Sequence, residues 1–114
     1  MTKGGNMFNF FKTNKEDQIN SLKKKYGDKV INFHSFIGQK LIICSDKLIV
    51  ADLMRTVYVS YLEISSVDIE PTGLKINTTS GKKYDVPIIV NLEKIASEIM
   101  DLRNNYLLES KNSK

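Results

Sequence analysis

The sequence predicts an α+β domain that is mainly β, with about seven short antiparallel strands forming a barrel or roll. A C-terminal amphipathic helix caps it, and a short helix precedes the first strand. From Val30 onward, short runs rich in Ile, Val, Leu, Tyr and Phe alternate with turn residues. Residues 91–106 instead repeat apolar side chains at spacings of three and four. The length of 114 residues suits one domain with its own core.

The strand pattern is divided by residues that favour turns. Gly38 separates the first two strands, and Ser80-Gly81 is a hairpin signal between the last two. Pro87 lacks a backbone N–H, so the last strand is expected to end there or to lie at a sheet edge. The predicted strands lie at residues 30–37, 41–44, 48–51, 56–60, 64–69, 74–78 and 83–88.

The final segment has the pattern of an amphipathic helix that begins after Asn91 as its N-cap. One face is apolar and the other carries charges, which predicts a helix that closes the end of the β-structure. The apolar positions are Leu92, Ile95, Ala96, Ile99, Leu102 and Tyr106. We expect the module to occupy residues 30–108 and residues 109–114 to form a frayed tail.

The first 29 residues carry the entire net charge of the chain, which is +4. A helix is predicted at 15–26, because Thr13 and Glu16 fit a capping box and Gly27 suits the position after a helix. A helix this short is marginal alone, so it is expected to dock on the rest of the chain. Residues 1–29 are therefore predicted to be a basic arm that contains this short helix.

Composition argues against several classes of protein. The single cysteine cannot form an internal disulfide, which favours a reducing, cytoplasmic setting. The apolar runs are too short to span a bilayer. His34 is the only histidine, Cys44 lies in an apolar strand, and no orienting partner stands at ligand or triad spacing. We therefore expect no catalytic site, no metal and no cofactor, and so not an enzyme.

The order of seven strands and a final helix resembles the bacterial pleckstrin-homology-like (PH-like) domains over about residues 30–108. Residues 46–50 (DKLIV) and the Tyr-x-x-Ile-x-x-Val element formed by Tyr61, Ile64 and Val67 are similar to that family. The resemblance implies a non-enzymatic scaffold that docks peptides, proteins or membrane surfaces. The loop that carries several basic residues in phosphoinositide-binding relatives is short here and holds one lysine, Lys40. The resemblance therefore does not imply inositol-lipid binding.

The basic arm supplies the candidate contact residues, for which two interpretations stand. Aromatic rings beside lysines are typical of membrane-interface anchors or partner contacts. Alternatively, the rings fold back onto the β-module, and the lysines form a solvated helix end that pairs favourably with the helix dipole. Nucleic acid is not an expected partner, because three adjacent lysines on a helix point in different directions. The candidate residues are Phe8, Phe10, Phe11, Lys12, Lys23, Lys24 and Lys25.

The functional hypothesis is a binding or adaptor module for a protein or peptide partner, with peripheral contact to an anionic membrane surface through the arm. The partner would meet a groove between the C-terminal helix and a neighbouring strand, or an exposed sheet edge. The alternative is a small assembly protein that forms homo-oligomers through its strand edges. Both hypotheses place the protein in the cytoplasm, and the first adds the inner face of the membrane.

Overall fold

The computed structural model describes residues 15–36 and 38–112. Over these residues it confirms an α+β fold that is mainly β, with seven antiparallel strands and two helices in the predicted order. The elements are α1 (Lys15–Tyr26), β1 (Val30–Phe36), β2 (Gln39–Cys44), β3 (Lys47–Asp52), β4 (Thr56–Ser60), β5 (Ile64–Glu70), β6 (Gly73–Thr78), β7 (Lys83–Val86) and α2 (Leu92–Asn112).

The strands form two separate sheets, in the order β1-β2-β3-β4 and β5-β6-β7. All neighbouring strands are antiparallel. Within the described residues the two sheets do not close into the barrel or roll that the sequence predicts. The two sheets are held together instead by side chains that meet in a shared core, and by the C-terminal helix.

Side chains satisfy backbone groups on the edge strands β1 and β5. Arg103 Nε donates a hydrogen bond to the carbonyl of Ile64, at the start of β5, over 3.0 Å. On β1, the N–H of Phe33 donates to Asn32 Oδ1, and the Asn32 amide donates to Glu98. The carbonyl of Ile64 and the N–H of Phe33 thus have side-chain partners although no further strand pairs with β5 or β1 in the described chain.

The main core lies between the two sheets and α2. Ile95, Ala96 and Ile99 bury the apolar face of α2 in this core, so the helix packs on the strands as predicted. The side chain of Tyr61 is fully buried, and its hydroxyl donates to the carbonyl of Cys44 over 2.7 Å. The fully or nearly buried members on the strands and their connections are Leu41, Ile43, Leu48, Val59, Tyr61, Ile64, Leu74, Ile76, Val86 and Ile88.

A second core lies on the other face of the first sheet, beneath α1. Leu22 of α1 packs there with Phe33 and four further buried strand residues, namely Val30, Ile42, Cys44 and Ile49. The four residues Leu41 to Cys44 are consequently all buried, because β2 is covered on both faces. The expected docking of α1 therefore occurs on the outer face of this sheet.

The helix ends follow from local chemistry. Gly27 has a φ of +113°, and its N–H donates to the carbonyl of Lys23 over 2.8 Å, which ends α1 as predicted. α2 begins directly after Asn91 and runs through residues 109–112, part of the segment predicted as a frayed tail. Neither Gly nor Pro interrupts that stretch, and Lys111 suits the negative end of the helix dipole.

Candidate functional site

A groove of about 710 Å3 lies between the outer edge of β1 and the polar face of α2. β1 is an edge strand of the first sheet, so its outer side has no strand partner among the described residues. The side chains that line the groove are both apolar and charged. They include Lys15, Ile31, Asn32, His34, Lys94, Glu98, Asp101 and Leu102.

A β-bulge in β1 places an apolar side chain in this groove. The register of β1 on β2 shifts between Val30 and Asn32, which leaves Ile31 without a partner in the register. The side chain of Ile31 is 44% exposed and lines the groove. The bulge thus presents a large apolar side chain at the strand edge.

Glu98 of α2 bridges the groove to β1. Its Oε2 accepts a hydrogen bond from Asn32 Nδ2 over 2.6 Å, and its Oε1 lies 3.1 Å from His34 Nε2. Asn32 and His34 share one face of β1, because side chains alternate along a strand. His34 therefore lies on the face of β1 opposite to Phe33, and it contacts the carboxylate of Glu98.

The pKa of Glu98 is lowered from its ordinary value. The hydrogen bond from His34 is the largest cause, the hydrogen bond from Asn32 adds to it, and burial opposes both. The bridge therefore stabilises the ionised carboxylate, and neutralising it is expected to weaken the contact between α2 and β1.

Substituting Glu98→Gln is expected to lower the free energy of unfolding by about 1–2 kcal/mol near neutral pH. Because the pKa of Glu98 is lowered in the folded state, its carboxylate contributes fully to stability at pH values above its ordinary pKa. This contribution is lost as the pH falls through the pKa of the folded state. The penalty should thus shrink steadily as pH falls below the ordinary pKa of a glutamate side chain, about 4.3. Urea unfolding of both proteins at neutral and at acidic pH measures it, with the exposed Glu93→Gln as control. An equal penalty at both pH values would contradict the bridge.

A second depression, of about 430 Å3, continues along the same strand edge. It shares Lys15, His34, Asn91 and Ile95 with the groove and adds apolar side chains, Ile88 and Val90, from the segment that precedes α2. The Glu98 bridge lies in the larger groove, and the two hollows adjoin at His34. Together they extend along the edge of β1.

The predicted contact residues that the structure describes lie away from both hollows. Lys23, Lys24 and Lys25 are in the last turn of α1, and none of them lines either hollow. The Nζ of Lys25 lies 5.4 Å from the centre of the Tyr26 ring. The remaining candidates, Phe8, Phe10, Phe11 and Lys12, lie outside the described residues.

Sequence reasoning missed the pairing of Glu98 with Asn32 and His34. These residues are more than 60 positions apart, and their spacing along the chain carries no trace of the contact. The available signals were the lone histidine on a strand and a carboxylate on the polar face of the helix. Only the packing of α2 across the sheet brings them together.

Other reactive groups give no second site in the described part of the chain. Cys44 is buried, and burial raises the pKa of its thiol, which disfavours the reactive thiolate. Burial likewise raises the pKa of the Tyr61 hydroxyl. Across residues 15–36 and 38–112, no three His, Cys, Asp or Glu side chains gather as metal ligands. Neither described helix combines the length and hydropathy that crossing a membrane requires.

Comparison with protein-family models, with curated proteins and with solved structures finds no match to this chain.

Proposed function

We propose that this protein is a non-enzymatic docking module of the PH-like type, and that it binds an extended segment of a partner protein along the outer edge of β1. The observation that carries the proposal is the unpaired edge of β1 beside a groove walled by α2. The PH-like assignment is supported by the strand order, by the buried positions of Tyr61 and Ile64, and by the packing of the partly buried Val67 against the same core.

Strand addition is the physical route to binding. An edge strand offers N–H and C=O groups to an incoming segment, which then forms main-chain hydrogen bonds. The N–H of Phe33 is held by the side chain of Asn32 over 2.9 Å, a contact that an incoming carbonyl can replace. Asn32 would then keep its amide hydrogen bond to Glu98. This N–H therefore has a partner when the edge is empty, and an incoming segment can take it over without unfolding the strand.

The groove lining sets the chemistry of the expected segment. Ile31 and Leu102 offer apolar contacts, which supply affinity when they are covered. Lys94 and Asp101 supply charges of both signs, which favour one register of the bound segment. We therefore expect an extended segment with alternating apolar side chains and mixed charge, rather than a polyanion.

Selection from a displayed library of random peptides tests this function. Peptides that bind the full chain should lose at least about tenfold in affinity to Ile31→Lys, because the charge replaces an apolar contact at the groove. Tyr58→Lys is the matched control, since Tyr58 is 57% exposed on β4, the opposite edge of the same sheet. Bound peptide should also slow hydrogen exchange of the Phe33 amide.

Two results would overturn the groove as the docking site. One is a selection that enriches no peptide, and the other is peptides whose affinity falls with Tyr58→Lys but not with Ile31→Lys. Circular dichroism of both variants separates loss of binding from loss of fold. Both substituted side chains are exposed, so neither change should unfold the protein.

The alternative function, homo-oligomerisation through strand edges, is supported by the same topology. The first sheet has two edges, β1 and β4, without strand partners in the described chain. Light scattering over a range of concentrations distinguishes the two. A mass that rises with concentration and falls in Tyr58→Lys supports assembly through β4, whereas a constant monomer mass supports the docking module.

The proposal also gives the basic arm a role in membrane contact. The arm would bind an anionic membrane surface through Phe8, Phe10, Phe11 and the neighbouring lysines. This contact would hold a cytoplasmic protein at the inner face of the membrane. The support is the charge asymmetry alone, since the whole net charge of +4 precedes residue 30. Vesicle binding that is unchanged in Phe10→Ala/Phe11→Ala would contradict membrane contact through the arm.

A further inference from the structure

The two most exposed of the large apolar side chains in the described part of the chain are adjacent. Leu53 is 93% exposed and Met54 is 89% exposed, and together they form the tip of the hairpin between β3 and β4. Neither side chain contributes to the two cores. Packing within the described chain therefore gives no reason for apolar residues at these two positions.

The conformation of the turn gives no reason either. Asp52 holds the turn, because its Oδ1 accepts hydrogen bonds from the N–H groups of Met54 and Arg55, each over 2.8 Å. Its own N–H donates to the carbonyl of Arg55 over 2.9 Å. Tip positions of such turns favour Gly, Asn, Asp or Ser, and Leu and Met bring no turn preference. The hydrogen bonds of Asp52 thus hold the turn in a conformation that exposes the side chains of Leu53 and Met54.

Cations surround the base of this tip. Arg55 follows it directly, and Lys25 and Lys40 line, together with Leu53, a depression of about 440 Å3 between the hairpin, the β1–β2 turn and α1. Among the described residues that line this depression, Asp52 is the only acidic one. With Arg55 beside the tip, three cations outnumber this one carboxylate, so the electrostatic environment favours an anionic surface.

We propose that the Leu53-Met54 tip inserts into the interfacial region of an anionic phospholipid bilayer, while Arg55, Lys25 and Lys40 meet the headgroups. Apolar side chains flanked by cations suit this boundary, because the apolar groups leave water and the cations are attracted to negative lipid. The occupant is a bilayer surface, since a soluble anion would use the cations but not the apolar tip. The site is separate from the edge of β1 and does not depend on the peptide-docking function.

Single-tryptophan variants test the insertion, because the chain contains no tryptophan. In Met54→Trp, vesicles of phosphatidylglycerol and phosphatidylcholine should shift the emission to the blue, and brominated acyl chains should quench it. Leu62→Trp is the matched control: Leu62 is 55% exposed in the turn at the other end of β4 and should show neither change. Phosphatidylcholine vesicles alone should leave both variants unchanged.

Co-sedimentation of the full chain with the same vesicles gives the second measurement. Leu53→Ser/Met54→Ser should lower the partition coefficient at least about tenfold, and Leu62→Ser should not lower it. Unaltered partitioning of the double variant would overturn the proposal and assign membrane binding to the N-terminal arm. Absence of any wild-type binding, equal binding to neutral vesicles, or a response of Met54→Trp to free phosphate alone would also overturn it.

Discussion

Replacing Gly73 by Ala is expected to lower the free energy of unfolding by about 3 kcal/mol or more. Gly73 has a φ of +142°, a conformation that residues with a Cβ rarely adopt. An added Cβ would also overlap the carbonyl oxygen of Val86 and crowd the Cα of Pro87, 2.8 Å away. Both neighbours are backbone atoms of the β7 exit, so no side-chain rotation relieves the overlap. Urea unfolding followed by circular dichroism measures the change.

Gly81→Ala is the matched control for this prediction. Gly81 also has a positive φ, +93°, but an added Cβ would meet nothing within 4 Å. It therefore carries only the conformational cost, about 1–2 kcal/mol. The difference between the two variants isolates the overlap with the segment that leads into α2. Equal losses in both would contradict the close approach of β6 to that segment.

Replacing Ile99 by Ala is expected to lower the free energy of unfolding by about 2–4 kcal/mol. Ile99 is fully buried, and it packs with residues of both sheets in the main core. Removing its branched side chain both loses apolar burial and leaves a cavity, because α2 and the two sheets cannot all move inward together. Urea unfolding with an unchanged m-value would attribute the change to stability alone.

Leu108→Ala on the same helix serves as control. Leu108 is 58% exposed, so its truncation should change stability by no more than about 0.5 kcal/mol. Similar effects at both positions would mean that α2 does not hold the sheets together. The docking groove depends on this point, because α2 forms one of its walls and supplies Glu98.

Element type and order could be predicted closely from the sequence, because each rests on local chemistry. Gly27 ends α1, and β7 ends at Val86, immediately before Pro87. Turn residues divide the strands where the structure divides them, and the apolar period marks the start of α2 after Asn91. The end of α2 was harder to place, because no residue between 107 and 112 forbids another helical turn.

The residues of the candidate site could not be predicted in the same way. The sequence suggested a groove between the C-terminal helix and a strand, but the contact residues it indicated were those of the basic arm. The groove is instead lined by residues of β1 and α2 that are far apart in the chain. The uninterrupted apolar run Leu41–Cys44 did carry a usable signal, since it indicates a strand covered on both faces. Such a run indicates that another element packs on each face of the strand, but it does not identify α1 as one of those elements.

The strands, the two helices and the apolar faces follow from local sequence chemistry, because periodicity, caps and turn residues act over a few neighbouring positions. Three features follow only from the way these elements pack: the strands form two sheets, α1 covers one of them, and Glu98 reaches Asn32 and His34. These features depend on which surfaces are buried against each other. Many arrangements of these helices and strands are compatible with the same local pattern, and the close packing of the buried side chains selects one of them.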